Sequence, residues 1–129
     1  MGMKVRATLA GLMALIGAVT FSSSASAATS NLWYYTTDSN PGGKARWIDS
    51  GDYIEICDVE ADGWGAIAFL SRNSDGLELM SGFTQAGNGT CTTVSKNISE
   101  TVELELMVCL HKNAGTTYNS CSIQFVRWN

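Results

Sequence analysis

Four cysteines are the residues of this chain whose chemistry is most easily read. They are Cys57, Cys91, Cys109 and Cys121, and no two of them have the C-x-x-C spacing of zinc sites and redox motifs. In an oxidising compartment an even number of cysteines predicts two disulfides, for which three pairings exist. A hairpin loop centred near Gly115 would place Cys109 opposite Cys121. We therefore favour this bridge together with Cys57–Cys91.

A second group of residues has the spacing of a metal-binding loop. Asp58, Glu60 and Asp62 alternate along the chain, and with the glycine that follows them they match the first half of a calcium loop. The twelfth position of such a loop would be Phe69, where the loop needs a bidentate glutamate. Asp and Gly are also the usual residues of tight turns. We therefore predict a turn here, with no metal site and no cofactor.

Candidate catalytic groups are few. His111 is the single histidine, and we expect it to be a surface residue at a hairpin. No local nucleophile signature such as G-x-S-x-G is present. Paired carboxylates can hydrolyse glycosides, and Glu55, Glu103 and Glu105 are the strand carboxylates that could form such a pair. Since solvent-facing carboxylates are expected on strands anyway, we name no catalytic residue and predict that the chain is not an enzyme.

The first 27 residues have the composition of a secretory signal peptide. Lys4 and Arg6 precede an apolar run over 7–21, and small residues follow as far as Ala27. The run is shorter than the roughly 20 residues that cross a bilayer, so we expect no membrane anchor and cleavage after Ala27, with Ala28 as the alternative. The working protein is then secreted and extracellular, in a compartment where disulfides form.

The charge of the remaining chain limits its partners. After removal of residues 1–27, six basic and twelve acidic residues remain, which gives a formal charge of −6. Nucleic acids and anionic membranes attract basic surfaces, so we expect neither as a partner. About one hundred residues suffice for one domain with one core.

Short strands separated by turn residues account for most of this domain, which we assign to residues 42–129. Apolar alternation and turn chemistry predict strands over 44–48, 53–57, 64–70, 77–83, 91–94, 102–110 and 121–128. Strands at this spacing, without sustained helical periodicity, predict an all-β fold, either a sandwich or a barrel. We expect an antiparallel, Ig-like β-sandwich of about seven to eight short strands, stapled by two disulfides.

An aromatic segment precedes the first of these strands. Residues 28–41 contain Leu32, Trp33, Tyr34 and Tyr35 and end at a Pro-Gly-Gly run. One interpretation is an ordinary edge strand in which Trp33 and Tyr35 cover one end of the core. The other is an arm that docks on a partner, since aromatic anchors supply much of the energy of protein interfaces. We name Leu32, Trp33, Tyr34 and Tyr35 as candidate partner-binding residues.

The chain also resembles a known group of proteins. The run GGKARW, an acidic turn, ICDVEADGWGAIAFL, and later GNGTC, VELELMVCLHK and a last cysteine are similar to small secreted actinobacterial proteins. One branch of that group resembles the connector subunit of umbrella toxin particles, the secreted antibacterial assemblies of Streptomyces. The resemblance implies a small β-sandwich adaptor that joins a repeat-bearing toxin stalk to a trypsin-like, lectin-carrying subunit. It also implies that the aromatic arm is the docking element.

Two other functions stay open at this point. A secreted inhibitor, or a carbohydrate- or ligand-binding module, would fill a cleft with the arm or with the loop over 85–89. A hydrolase would use paired carboxylates. Between these and the adaptor we favour the adaptor, whose partners are other secreted proteins.

Overall fold

The computed structural model describes residues 31–84, 87–112 and 117–128. The expected signal peptide, the loop around Gly115 and two residues of the 85–89 loop lie outside the described residues. In the part of the chain that is described, no helix is both long and apolar enough to cross a membrane.

Strands and turns follow one another through the described chain, as the sequence predicts. In chain order the strands are β1 Tyr34–Tyr35, β2 Gly43–Ile48, β3 Tyr53–Asp58, β4 Gly65–Arg72, β5 Glu78–Thr84, β6 Thr90–Ser95, β7 Leu104–Lys112 and β8 Thr117–Val126. A short 3-10 helix, Asp49–Gly51, makes the turn between β2 and β3. The seven predicted strands are confirmed with bounds shifted by a few residues, and β1 lies in the aromatic segment.

The strands form two antiparallel sheets of four. Sheet A has the order β1-β2-β3-β6, and sheet B has the order β5-β4-β7-β8. The predicted antiparallel β-sandwich is therefore confirmed. Among the seven longer strands, the second, β3, pairs with the first, β2, and the fifth, β6, as in an immunoglobulin constant domain, while the fourth, β5, lies in the other sheet beside β4.

The core lies between the two sheets, because alternate residues of each strand point to the same face. Trp47 of β2 is fully buried, and its ring meets the ring of Trp128 edge to face at 5.2 Å. The Trp128 indole N–H donates to the Val102 carbonyl at 2.9 Å, which holds the chain after β8 against the core. The other buried members of the core are Ala45, Ile54, Ile56, Ala66, Ala68, Leu70, Met80, Ile98, Leu104, Leu106, Val108 and Val126.

Each disulfide joins two neighbouring strands. Cys57–Cys91 links β3 to β6, and Cys109–Cys121 links β7 to β8, so the favoured pairing is confirmed. The second bridge places Cys109 opposite Cys121. The β7–β8 ladder keeps this register from the first residue of β7 up to the bridge, where a bulge shifts it. Two formed disulfides indicate an oxidising compartment.

The two sides of the sandwich differ. On the β5/β6 side the sheets approach closely, and the hydroxyls of Thr84 and Thr90 lie 3.2 Å apart. Lys96 follows β6, and its ammonium donates to the Leu79 carbonyl of β5 at 3.2 Å. On the opposite side, the Thr37 N–H after β1 donates to a carbonyl of β8, that of Ser120, at 2.9 Å. We call the β5/β6 side the closed side and the side where β1 meets β8 the open side.

Candidate binding surfaces

The aromatic segment lies along the edge of sheet A. The Asn31 N–H donates to the Trp47 carbonyl at 2.8 Å, and the Thr36 N–H donates to the Gly43 carbonyl at 3.0 Å. Between these two bonds β1 pairs antiparallel with β2. The segment is therefore an edge strand in this structure, which is the first of the two interpretations of the sequence.

The alternation of a strand separates the side chains of this segment. Tyr34 packs against the core, while Leu32 and Tyr35 are half exposed. Trp33 contacts two cations, with the Lys44 ammonium 4.3 Å and the Arg46 guanidinium 4.4 Å from its ring centre. Such contacts contribute about 0.5–1 kcal/mol each at exposed sites.

The expectation that Trp33 and Tyr35 cover the core is therefore wrong. Residues at i and i+2 of a strand share a face, so these two residues point away from the core when Tyr34 points into it. Nothing in the structure tests whether the four residues bind a partner, and that role stays a prediction.

Further hydrogen bonds fasten the chain between β1 and β2. The Asp38 carboxylate accepts bonds from the Gly42 N–H at 3.0 Å and from the Thr36 hydroxyl. The Thr36 hydroxyl oxygen in turn accepts from the Gly43 N–H at 3.1 Å. Release of the segment from its own domain would break these bonds together with the β1–β2 ladder. A partner would therefore bind the segment most readily while it stays paired with β2.

A larger apolar surface lies on sheet B, on the face that points away from the core. On β4, Ala66, Ala68 and Leu70 point into the core, so Ile67 and Phe69 lie on the opposite face. The same alternation on the neighbouring strands completes the surface that we call the outer apolar face, which consists of Ile67, Phe69, Phe83, Met107, Tyr118, Ile123 and Phe125.

Cross-strand contacts make this face continuous. Ile67 lies opposite Phe83, Phe69 lies opposite Met107, and Met107 lies opposite Ile123. The rings of Phe69 and Tyr118 meet edge to face, with 5.6 Å between their centres. Apolar pairs of this kind stabilise a sheet by about 0.2–1 kcal/mol each.

Much of the outer apolar face is accessible to solvent. The exposed fractions are 51% for Phe83, 42% for Tyr118, 53% for Ile123 and 61% for Phe125. A contiguous exposed apolar patch marks an interaction site more often than a scattered set of apolar residues does. Sequence reasoning missed this face, although the run GAIAFL in β4 is apolar at every position, which is typical of a strand that is covered on both faces.

His111 also lies on this side of sheet B, and the expectation of a surface histidine is wrong. The residue is fully buried, because it lies opposite Gly65, which has no side chain, and the Phe83 ring packs on it at 5.2 Å. Burial lowers the pKa of His111 from its ordinary value of 6.5. The Thr84 backbone and the Asp58 carboxylate lie close enough to favour the charged form, although neither ring nitrogen meets the distance and angle of a hydrogen bond with any described residue.

The acidic stretch after β3 forms the predicted turn. The Asp58 carboxylate accepts from the Glu60 N–H at 3.1 Å, and the Asp62 carboxylate accepts from the Trp64 N–H at 2.9 Å. Gly63 has a φ of +80°, which glycine adopts without strain. Burial raises the pKa of Asp58 from its ordinary value. Within residues 31–84, 87–112 and 117–128, no three His, Cys, Asp or Glu side chains form a group that could hold a metal ion.

The strand carboxylates do not form a single group. Glu55 lies on the outer face of sheet A, where it forms an ion pair with Arg46 at 2.8 Å. Glu105 lies on the outer face of sheet B, opposite Phe125. The two carboxylates therefore face opposite sides of the sandwich and cannot act on one substrate bond.

A groove of about 430 Å³ opens where β7 begins and β8 ends. Its walls include the rings of Phe125 and Trp128 and the carboxylates of Glu100 and Glu103. This volume is within the usual range of about 300–1,000 Å³ for small-ligand sites. The groove adjoins the outer apolar face, since Phe125 belongs to both.

Comparison of the chain with protein-family models, with curated proteins and with solved structures found no match. The resemblance to umbrella-particle connectors therefore stays a prediction from the quoted motifs.

Proposed function

We propose that this protein is a secreted, non-enzymatic adaptor that binds other secreted proteins. The observation that carries the proposal is the outer apolar face, where four large apolar side chains with exposed fractions above 40% share one face of one sheet. Removing apolar area from water is favourable, and aromatic residues contribute much of the binding energy at protein interfaces. A face of this kind is costly to leave in water.

The two disulfides support the proposal that the protein is secreted, because disulfides stabilise small domains in oxidising extracellular surroundings. The aromatic segment supplies a second apolar contact region, with Leu32 and Tyr35 half exposed at the sheet edge. An adaptor needs two separate contact regions, and these two lie on different sheets. From the motif resemblance we further propose that the partners are the repeat-bearing stalk and the trypsin-like, lectin-carrying subunit of an umbrella toxin particle.

The experiment is capture from native culture supernatant with the tagged, secreted protein as bait, followed by mass spectrometry. One variant, Phe83→Ser with Phe125→Ser, reduces the outer apolar face. A second, Leu32→Ser with Tyr35→Ser, reduces the aromatic segment. Leu77→Ser is the matched control, because Leu77 is as exposed as Phe83 and belongs to neither surface.

We expect each double variant to lose a different partner and the control to keep both. Retention of every partner by the first variant would contradict the role of the outer apolar face. Retention by the second would contradict the role of the aromatic segment. If the wild-type protein enriches nothing, the adaptor proposal itself fails.

The groove beside Phe125 favours one second candidate, a carbohydrate- or ligand-binding module. Its combination of aromatic rings and carboxylates is typical of small-ligand sites. This function predicts binding of one glycan by the isolated protein, with loss of binding in Glu103→Gln. A blank result on a broad glycan panel would rule against it.

A further inference from the structure

β8 is an edge strand of sheet B, and part of its outer edge pairs with no described strand. It has ten residues, and its sequence, TYNSCSIQFV, contains no charged residue and no proline. It lies at the end of the strand order of sheet B. Native edge strands are usually kept from pairing by shortness or by Lys or Pro residues on the edge. The Thr37 N–H donates to the Ser120 carbonyl of β8, and the edge that no described strand covers runs over residues 121–126.

The register of the β7–β8 ladder shows which backbone groups this edge presents. The Cα atoms of Cys109 and Cys121 are 4.1 Å apart. That short distance is typical of a non-hydrogen-bonded pair, in which the N–H and C=O groups point away from the partner strand. Because the two pair types alternate, Ile123 and Phe125 share this orientation. Among the described residues, no hydrogen bond reaches the backbone of Cys121, Ile123 or Phe125 from the open side.

The other three sheet edges are less suited to pairing. β1 is two residues long. The Leu79 carbonyl of β5 accepts a bond from the Lys96 ammonium, which occupies that edge. β6 is uncharged like β8, but its exposed side chains are the disulfide-bonded Cys91 and the polar Thr93 and Ser95. Among the described sheet edges, only that of β8 is both uncovered and flanked by exposed apolar side chains, those of Ile123 and Phe125.

We propose that β8 pairs antiparallel with β8 of a second copy of this chain, so that the two copies of sheet B join into one eight-stranded sheet. The register that uses all three outward-pointing residues places Ile123 opposite Ile123 of the partner subunit on a two-fold axis. It places Cys121 opposite Phe125 of the partner subunit, and Ser122 opposite Gln124 of the partner subunit. A two-fold interface must be self-complementary, and every pair in this register meets that condition.

The edge itself carries no charge that would oppose this occupant. Each copy has a formal charge of −6 after removal of the signal peptide, yet none of the paired residues is charged, so no like charges meet across the axis. The pairing also makes the outer apolar faces of the two copies continuous. An edge of six residues is a small contact, below the roughly 1,200 Å² at which stable interfaces begin, so the dimer is expected to dissociate on dilution.

Sedimentation velocity of the secreted protein over a concentration series tests the proposal, in about 0.15 M salt, where charges are screened beyond about 8 Å. The wild-type protein is expected to pass from monomer to dimer as its concentration rises. Ile123→Lys and Ile123→Glu each place like charges opposite one another on the axis, and each is expected to raise the dimer Kd by about tenfold or more. An equimolar mixture of the two variants is expected to restore the dimer, because opposite charges then meet. This restoration also shows that both variants are folded.

Thr93→Lys is the matched control on β6, the other uncharged edge, and is expected to leave the Kd unchanged. A wild-type protein that stays monomeric overturns the proposal, and so does a dimer that survives Ile123→Lys. Failure of the mixture to restore the dimer overturns the register on Ile123. If the wild type is monomeric and Ile123→Lys loses a captured partner, the edge serves a foreign strand, and the adaptor proposal stands without self-pairing.

Discussion

Gly82 of β5 offers a sharp test of how closely the sheets approach on the closed side. A Cβ atom placed on Gly82 would lie 2.5 Å from a methyl carbon of Val94 and 3.0 Å from the terminal carbon of Ile56. Real Cβ atoms do not approach other carbons at 2.5 Å. The substitution Gly82→Ala must therefore displace β6 or rotate the Val94 side chain.

The magnitude follows from two opposing effects. Replacing a strand glycine by alanine would by itself stabilise the domain by about 0.5–1 kcal/mol, because alanine loses less backbone entropy on folding. Overpacking of this kind costs about 1–3 kcal/mol. We expect Gly82→Ala to lower the free energy of unfolding by about 1–2 kcal/mol, which corresponds to a fall in Tm of roughly 5–10 °C.

Urea denaturation followed by tryptophan fluorescence measures this change, since the buried Trp47 reports on the core. Val94→Ala removes the methyl group that the new side chain would meet, so the double variant should recover at least about 1 kcal/mol relative to the sum of the single changes. Ser81→Ala is the control, since Ser81 points to the outer face. Two results would refute the packing described for the closed side. One is a Gly82→Ala protein as stable as wild type, and the other is a double variant whose loss of stability equals the sum of the losses in the two single variants.

Two further predictions concern the bridges and the buried histidine. Loop entropy gives about 3.8 kcal/mol for Cys57–Cys91, which spans 34 residues, and about 2.8 kcal/mol for Cys109–Cys121, which spans 12. Replacing each pair by serine should therefore destabilise the domain more at the first bridge, and the reverse order in denaturant melts would contradict this. Because burial lowers the pKa of His111, the unfolded chain binds more protons below about pH 6.5, and stability should fall as the pH drops through that value. His111→Leu should remove this part of the pH dependence, and parallel stability curves for variant and wild type between pH 7.5 and 5 would show that the histidine does not contribute.

The strands and bridges could be predicted because they depend on local signals. Alternation over residues such as 104–106 and turn residues such as those at 58–63 act within a few positions of one another, and both patterns indicated the structure that is found. The pairing of Cys109 with Cys121 followed because a hairpin relates two nearby strands. The position of His111 could not be predicted, since it depends on Gly65, which is distant in sequence and next to it in the sheet.

The candidate surfaces also depend partly on local sequence and partly on the pairing of strands. The aromatic segment is visible in the chain because its four residues are adjacent, but their directions depend on pairing with β2. The outer apolar face collects residues from β4, β5, β7 and β8, and of these strands only β4 carries a local signal, its run of apolar residues. No local pattern joins Phe83 to Phe125, which are placed on one face by the strand order of sheet B.

The sequence by itself determined that this is an all-β domain with cysteines paired in two bridges, because strand periodicity, turn chemistry and hairpin geometry are properties of short stretches of chain. Only the tertiary structure decided which apolar side chains stay in water and which strands lie at the edges of the sheets. Those features arise from the order of strands in the two sheets, and that order is set by the packing of residues far apart in the chain.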